Sequence, residues 1–399
     1  MKLHCDITLP ASKSESNRAL MIAAYGDFAP DFENLSDSHD TKVLSKAICS
    51  AQKGENTIDI ADCGTAARFL ATYLACREGD WLLTGTERMK QRPMAPLVDA
   101  LRVLGADIQY VGKAGCLPLR IKGKAICGGA VPIDMAQSSQ FASSLLLAAP
   151  MWPQGLELEL VGALSSLPYL EMTLKMLCHF SAQAELCGRT VVIKPQPYQK
   201  RSFSVASDWS SASYWYEMAA FSEECEIRLH GLSGPSSHQG FGGAQQPQAQ
   251  CSGITSLQGD SVIAEWMRQL GVFTFVEGDD IVLRKIPFEK RSLNFDFSQH
   301  PDLYPTMAAT CAGLHVEARF SGLDNLSLKE SNRLEAMQQE LAKLGSHPIR
   351  FCAHADHRIV MALAPLSLLV GSIDFDHPEV VRKSYPGFWE DASFLPVWR

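Results

Sequence analysis

What most constrains the fold of this chain is a unit that recurs along it: a helix ending near glycine, then two short β-like runs separated by a turn. It occurs at Leu97–Leu104 with Gly105, ADIQYV and LPLRIKG. It returns at Glu171–Phe180 with AQAEL, Cys187-Gly188 and TVVIK, and at Ser261–Leu270 with Gly271, VFTFV, Gly278-Asp279-Asp280 and IVLRKI. Gly-Asp-Asp and Cys-Gly suit hairpins, because glycine reaches the positive φ that a tight turn demands. Strand-like and helix-like segments alternate throughout, which predicts an α/β class with domains assembled from copies of one unit. At 399 residues the chain is too long for one ordinary core. It suits two domains of roughly 200 residues each.

Two further helices look like the same unit cut short. Thr41–Ser50 is followed by only a brief run before Ile58–Ile60. Ser331–Leu344, with Leu334, Met337, Leu341 and Leu344 on one face, stops at Gly345 and reaches Asp356 quickly. Shortened hairpins are expected after both. Residues 233–256 break the pattern altogether, being dominated by Gly, Gln, Ser and Pro. With no charged residue to hold an anion, they predict a mobile insertion rather than a functional lid.

Hydrophobic residues make up 46% and charged residues 20%, which predicts a packed globular protein. No apolar run approaches the ~18 residues needed to span a bilayer. A net charge of −8 argues against general nucleic-acid or membrane-surface binding. The 12 cysteines are scattered singly, without a C-x-x-C pair, so neither a disulfide framework nor a zinc ribbon is expected. Most should be buried thiols in a reduced, cytoplasmic protein.

The chemistry is concentrated where helices begin. Lys13-Ser14-Glu15-Ser16-Asn17-Arg18 precedes ALMIAA, Asp62-Cys63-Gly64-Thr65-Ala66-Ala67-Arg68 precedes FLATYLA, and Ser138-Ser139-Gln140 precedes FASSLLLAA. Arg92-Pro93 opens a helix after Arg88 and Lys90. Lys329-Glu330-Ser331-Asn332-Arg333 and Asp356-His357-Arg358 open two more. A helix N-terminus has unpaired N–H groups and the positive dipole end, so it attracts anions. Serine or aspartate at any one start is an ordinary cap. Lysine or arginine there is unfavourable unless an anion is nearby, and the repetition predicts a small ligand bearing several negative charges.

Asp302, in SQHPDLYP, and Glu330, between Lys329 and Arg333, are the acid–base candidates. In isolation Asp302 could be a helix-start carboxylate and Glu330 a surface ion pair. A proton-transfer role requires coupling to the ligand, because neighbouring cations lower a carboxylate's pKa. His354-Ala355-Asp356-His357 does not have metal-ligand spacing, and no metal is expected. The chain has no G-x-x-x-x-G-K-[ST] loop, no G-x-G-x-x-G after a strand and no G-x-S-x-G elbow.

Taken in order, these segments resemble the 5-enolpyruvylshikimate-3-phosphate synthase family. The landmarks run from LPASKS at 9–14 through GTAAR at 64–68, TGTERMKQRP at 84–93, SSQ at 138–140, SSLPY at 165–169 and DWSSASY at 208–214. They continue through SLQGD at 256–260, PDLYP at 301–305, KESNR at 329–333 and DHR at 356–358 to KSYP at 383–386. The resemblance implies two similar domains, each of about three βαβαββ-type units, with helix N-termini facing an interdomain cleft. One domain would be 12–207, the other 1–11 plus 208–399. The implied reaction transfers the enolpyruvyl group of phosphoenolpyruvate to the 5-hydroxyl of shikimate 3-phosphate and releases phosphate, with no cofactor and in a monomer.

By the same resemblance, Lys13, Ser14, Arg18, Ser138, Ser139, Gln140, Ser166, Tyr169, Asp302, Asn325 and Lys329 would hold shikimate 3-phosphate. Lys13, Gly64, Arg92, Gln140, Arg333, Arg358 and Lys383 would hold phosphoenolpyruvate, and Gly64 would bear on glyphosate sensitivity. Asp302 would accept the proton of the attacking hydroxyl, Glu330 would serve proton traffic at C3, and Lys13 would assist the leaving group. The chain departs from the family pattern at Asn332, usually aspartate, and at Asp62 and Leu167, where many members have asparagine and lysine. Loss of the aspartate at 332 is expected to loosen Arg333. The alternatives are a catalytically impaired homologue that binds shikimate 3-phosphate, and the sister enolpyruvyl transferase acting on UDP-N-acetylglucosamine.

Overall fold

Each of the three full repeats builds one four-stranded sheet with the same strand logic in the computed structural model, which describes residues 1–235 and 256–398. In the first, Thr57–Asp59 runs parallel to Gly79–Thr84, and the hairpin Asp107–Tyr110/Leu119–Gly123 adds antiparallel strands. In the second, Gly129–Asp134 runs parallel to Leu156–Val161, beside the hairpin Ala184–Cys187/Thr190–Ile193. The third pairs Lys2–Thr8 with Glu224–His230, beside Val272–Glu277/Asp280–Lys285. Its first strand lies at the N-terminus and the rest begins after residue 208, so a whole lobe is inserted between them.

The two short units have lost their hairpins entirely. His39–Gln52 leads straight to Thr57–Asp59, which belongs to the next sheet. Arg333–Leu341 leads to Ile349–Phe351, which pairs with Ile373–Phe375 in a three-stranded parallel sheet completed by Val397–Trp398. Short parallel pairs, Phe32–Glu33 with Phe203–Ser204 and Leu293–Asp296 with Ala318–Ser321, serve these units instead. The expected helix from Ser331 starts at Arg333, because Asn332 caps it, its Oδ1 accepting from the Glu335 N–H at 3.3 Å. The insertion expected at 233–256 falls on residues 236–255, outside those described. Of the cysteines, Cys63, Cys116, Cys225 and Cys311 are buried, whereas Cys49, Cys127, Cys178 and Cys187 are exposed, so the expectation of mostly buried thiols is corrected. Cys187 closes a hairpin strand and Cys49 and Cys178 lie on the outer faces of their helices, where no core reaches them.

Sheet strands alternate buried and exposed residues, as in Leu156–Val161, so each sheet has one face toward solvent. The helices inside are buried nearly all round: every residue of Trp209–Phe221 is buried, and every residue of Ser139–Ala148 except Gln140. Two separate apolar cores result. One is built from residues between Ala11 and Val205, the other from Leu3, Ile7, Leu9 and residues between Trp209 and Leu395. The chain crosses between the lobes twice, side by side. The Ser12 N–H donates to the Ala206 carbonyl at 2.8 Å and the Asp208 N–H to the Pro10 carbonyl at 2.9 Å.

Candidate active site

Six helices aim their first residues at the space between the lobes. Ser12 caps Lys13–Gly26, Cys63 caps Gly64–Ala75 and Ser138 caps Ser139–Ala148. Ser166, held at φ 57°, precedes Leu167–His179. The second lobe supplies Arg333–Leu341 and, behind the Asp356 cap, His357–Leu363. The cleft so formed encloses about 960 Å3, part of it open to solvent. All the residues assigned to ligands above line it, with the exception of Lys383.

The first-lobe wall is donor-rich. Arg18 is buried without a carboxylate: Nε donates to Thr173 Oγ1 at 2.7 Å, Nη1 to the Ser14 carbonyl at 2.9 Å and Nη2 to the Tyr169 carbonyl at 3.1 Å. Burial lowers its pKa to about 10, and an anion would restore it. Gln140 Nε2 donates to Thr65 Oγ1 at 3.2 Å. Beside them stands Arg68, which the sequence argument left as part of a landmark. It is buried, its guanidinium donates to the carbonyls of Gly64 at 3.0 Å and Pro93 at 2.9 Å and lies 5.7 Å from the Phe141 ring centre, and Nε has no hydrogen-bond partner among the described residues. Burial and the neighbouring Arg92 hold its pKa well below the usual value. Two buried guanidiniums packed around Gly64 form a strong anion receptor.

The second-lobe wall is a chain of charge pairs. Arg333 binds three carboxylates: Nη1 to Asp302 at 2.8 Å, Nη2 to Glu330 at 2.7 Å and Nε to Asp356 at 2.8 Å. Arg358 Nη2 donates to the other Asp302 oxygen at 2.8 Å, and Lys329 Nζ lies 3.3 Å from Asp302. Burial would push Asp302 up, but Arg358, Lys329 and Arg333 hold it well below the usual carboxylate range. Glu330 is held low in the same way, burial being outweighed by Arg333, Arg92 and Lys383. Asn325 presents at the cleft a buried Oδ1 that has no partner among the described residues, suited to a ligand donor.

The lobes meet across the site. Tyr169 OH of the first lobe donates to Asp302 at 3.3 Å, and the exposed Arg88 donates to the backbone carbonyls of Glu330 at 3.0 Å and Lys329 at 3.2 Å. Lys13 Nζ pairs with Asp40 at 3.0 Å. Lys383 reaches the first lobe, but its Nζ is engaged with the Asp62 carboxylate and, at 3.0 Å, the Asp62 carbonyl. His354 pairs with Glu340 at 2.8 Å, and His357 is buried in the wall, where burial holds its pKa well below the ordinary value.

The expected loosening of Arg333 does not occur. Asn332 turns outward to Glu335, and Asp356, fully buried, orients the guanidinium. Asp356 also accepts from Ser331 Oγ at 3.1 Å and from the Arg358 N–H at 3.0 Å, so one carboxylate fixes both arginines.

A family model described as EPSP synthase (3-phosphoshikimate 1-carboxyvinyltransferase) matches residues 45–246 and 250–392. The chain belongs to the EPSP synthase family. A 3-phosphoshikimate 1-carboxyvinyltransferase from Bacteroides fragilis is 41% identical over 414 residues, covering 98% of this chain and 95% of its own. One from Syntrophobacter fumaroxidans is 31% identical, covering 98% and 97%. The EPSP synthase structure from Acinetobacter baumannii superposes with a TM-score of 0.71 over 98% of this chain and 96% of that one; at 19% identity it shows the fold. The two-domain α/β architecture expected from the repeats is therefore the EPSP synthase fold. Nothing in the comparisons favours the alternatives, an impaired homologue or a UDP-N-acetylglucosamine transferase. Among the described residues no helix is long and apolar enough to cross a membrane.

Proposed function

We propose that the chain transfers the enolpyruvyl group of phosphoenolpyruvate to the 5-hydroxyl of shikimate 3-phosphate, releasing phosphate, in the shikimate pathway of aromatic amino-acid biosynthesis. The observation that carries this is Arg333, which holds Asp302 and Glu330 side by side, both ionised, opposite the anion-seeking helix starts of the first lobe. Shikimate 3-phosphate lies along Lys13, Ser14, Arg18, Ser138, Ser139, Gln140, Ser166 and Tyr169, with its hydroxyls toward Asp302, Asn325 and Lys329. Phosphoenolpyruvate lies against Gly64, Arg92, Gln140, Arg333, Arg358 and Lys383.

The depressed pKa values of Asp302 and Glu330 fit a site that gains its acid–base character from its substrates. Paired with the arginines, both carboxylates serve as counterions and are poor bases. Bound phosphate and carboxylate groups share Arg92, Arg333 and Arg358, which raises the pKa of both side chains toward the range where protons move. Asp302 then takes the proton of the 5-hydroxyl as its oxygen attacks C2, while Glu330 delivers a proton to C3. From the tetrahedral intermediate Glu330 takes a C3 proton back, the C2–O bond to phosphate breaks, Lys13 meets the charge of the departing group, and the proton held by Asp302 leaves with the released phosphate.

The division into a domain of residues 12–207 and one of 1–11 plus 208–399 is supported by the two cores and the paired crossings. A cytoplasmic monomer is the state we propose for it. The test is phosphate release with each substrate omitted in turn. Release that needs both substrates is expected, and release from phosphoenolpyruvate alone would refute the assignment. Asp302→Asn should lower turnover by about 10²- to 10⁴-fold while shikimate 3-phosphate still binds.

A further inference from the structure

Lys383 is the one proposed phosphoenolpyruvate ligand that does not face the cleft. Its ammonium crosses from the second lobe to the loop before Gly64, where Asp62 takes it twice, by carboxylate and by carbonyl. The lysine is 7% exposed and buried against this loop, whereas Asp62 is 42% exposed at the rim. The next carboxylate, Asp40, is 4.0 Å away and already binds Lys13. On the outer side His39 Nε2 lies 3.7 Å from the other Asp62 oxygen. Burial would raise the Asp62 pKa, but Lys383 lowers it more, so the carboxylate is charged at neutral pH.

We propose that Asp62 is a positioning residue that holds Lys383 and competes with phosphoenolpyruvate for it. This rests on the assignment of Lys383 to that substrate. The substrate anion binds two residues along the chain, at Gly64, so the Asp62 carboxylate both holds the lysine back and repels the incoming charge. The apparent affinity for a ligand is reduced by the fraction of the protein that is competent to bind it. A half-exposed pair of this kind is worth little, since solvent and salt screen it. The competition therefore weakens phosphoenolpyruvate binding by about three- to tenfold, without touching the chemistry.

Asp62→Asn keeps the shape, one side-chain oxygen and the backbone carbonyl as acceptors but removes the charge. It should lower KM for phosphoenolpyruvate about three- to tenfold, leaving kcat and KM for shikimate 3-phosphate within about twofold. A merely structural role for Asp62 cannot produce this result, because damage raises KM. In the Lys383→Met background the gain should vanish. An unchanged or raised KM in Asp62→Asn, with Lys383→Met still raising KM strongly, overturns the competition and leaves Lys383 as a substrate ligand. An unchanged KM in Lys383→Met removes Lys383 from the substrate site and the role of Asp62 with it.

Discussion

Gly64 opens a helix at the centre of the first-lobe wall, and the two guanidiniums beside it leave no room for a side chain. A Cβ there would lie 2.4 Å from Arg92 Nη1, 3.0 Å from Arg92 Cζ and 2.8 Å from Arg68 Nη1. An ordinary contact is about 3.5 Å, so Gly64→Ala must push Arg92 away by ~1 Å. The helix start will not yield in its place, since it is buried and the Ala66 N–H is capped by Cys63 Sγ at 3.4 Å. Arg92 can move, its nearest carboxylate being Glu330 at 3.8 Å. A charge-assisted bond of ~2.8 Å stretched by ~1 Å is lost. That costs about 1.5–3 kcal/mol, a roughly 10- to 100-fold rise in KM for phosphoenolpyruvate. Steady-state phosphate release at saturating shikimate 3-phosphate measures it directly. The melting temperature should stay near that of the parent, because the moving group is the far end of a side chain. Combining Gly64→Ala with Arg92→Ala should add little to the single arginine change. A KM within twofold of the parent would refute this account of the crowding around Gly64.

Arg88→Met should lower kcat about three- to tenfold with KM values changed less, because its bonds to the Glu330 and Lys329 carbonyls position the acid–base segment from the opposite lobe. The kinetic split between kcat and KM checks this, and Arg88→Lys should recover part of the loss. Glu217 lies in the fully buried Trp209–Phe221 helix with both carboxylate oxygens unpartnered among the described residues, and burial raises its pKa well above the ordinary value. Its folded pKa exceeds its unfolded one, so stability is fully present below the unfolded pKa of about 4.3 and is lost as pH rises from there toward the folded value. Glu217→Met should therefore stabilise the protein by about 1–3 kcal/mol at pH 8 and much less at pH 5, read from urea midpoints at the two pH values.

The local grammar of the chain was legible; its long-range partnerships were not. Gly188 and Gly278 mark hairpin turns and Gly105 ends a helix, all places that need positive φ, and all three adopt it. Cations at helix starts pointed to a polyanion, and Lys13, Arg333 and Arg358 do converge on one cleft. The counterions could not be read in the same way. Asp40 lies 27 residues from Lys13, and Arg88 lies 242 residues from the carbonyl of Glu330 that it binds. No spacing rule connects positions brought together only by tertiary packing, whether within a lobe, as for Lys13 and Asp40, or between the two, as for Arg88 and Glu330. Arg68 could have been found, since it sits one turn beyond Gly64 on the same helix and must face the same ligand. Lys383 was legible as a ligand residue but not as one engaged elsewhere, because its partner Asp62 belongs to the other lobe.

Asn332 shows how a departure from a family pattern can be harmless when the geometry is known. A charged residue next to Arg333 suggests an ion pair, and losing it suggests a looser arginine. Yet position 332 is a helix cap, where side-chain direction is set by the free N–H groups of the first turn, here that of Glu335 at 3.3 Å. Asparagine and aspartate cap about equally well, so the substitution leaves the helix start intact. Arg333 takes its orientation from Asp356, a buried carboxylate that also accepts from Ser331 and the Arg358 N–H. Two changes separate these roles. Asn332→Asp should leave kcat and both KM values within about twofold, since the new charge sits at a half-solvated cap. Asp356→Asn takes one of its three carboxylates from Arg333, which keeps Asp302 and Glu330, and should cost about 1–3 kcal/mol, seen as a lower urea midpoint and a loss of turnover. Shikimate 3-phosphate and phosphoenolpyruvate at saturation should restore part of that midpoint, because their anions supply the missing charge. A large gain in turnover from Asn332→Asp would mean that Arg333 is under-restrained in the native enzyme and that Asp356 is not its anchor.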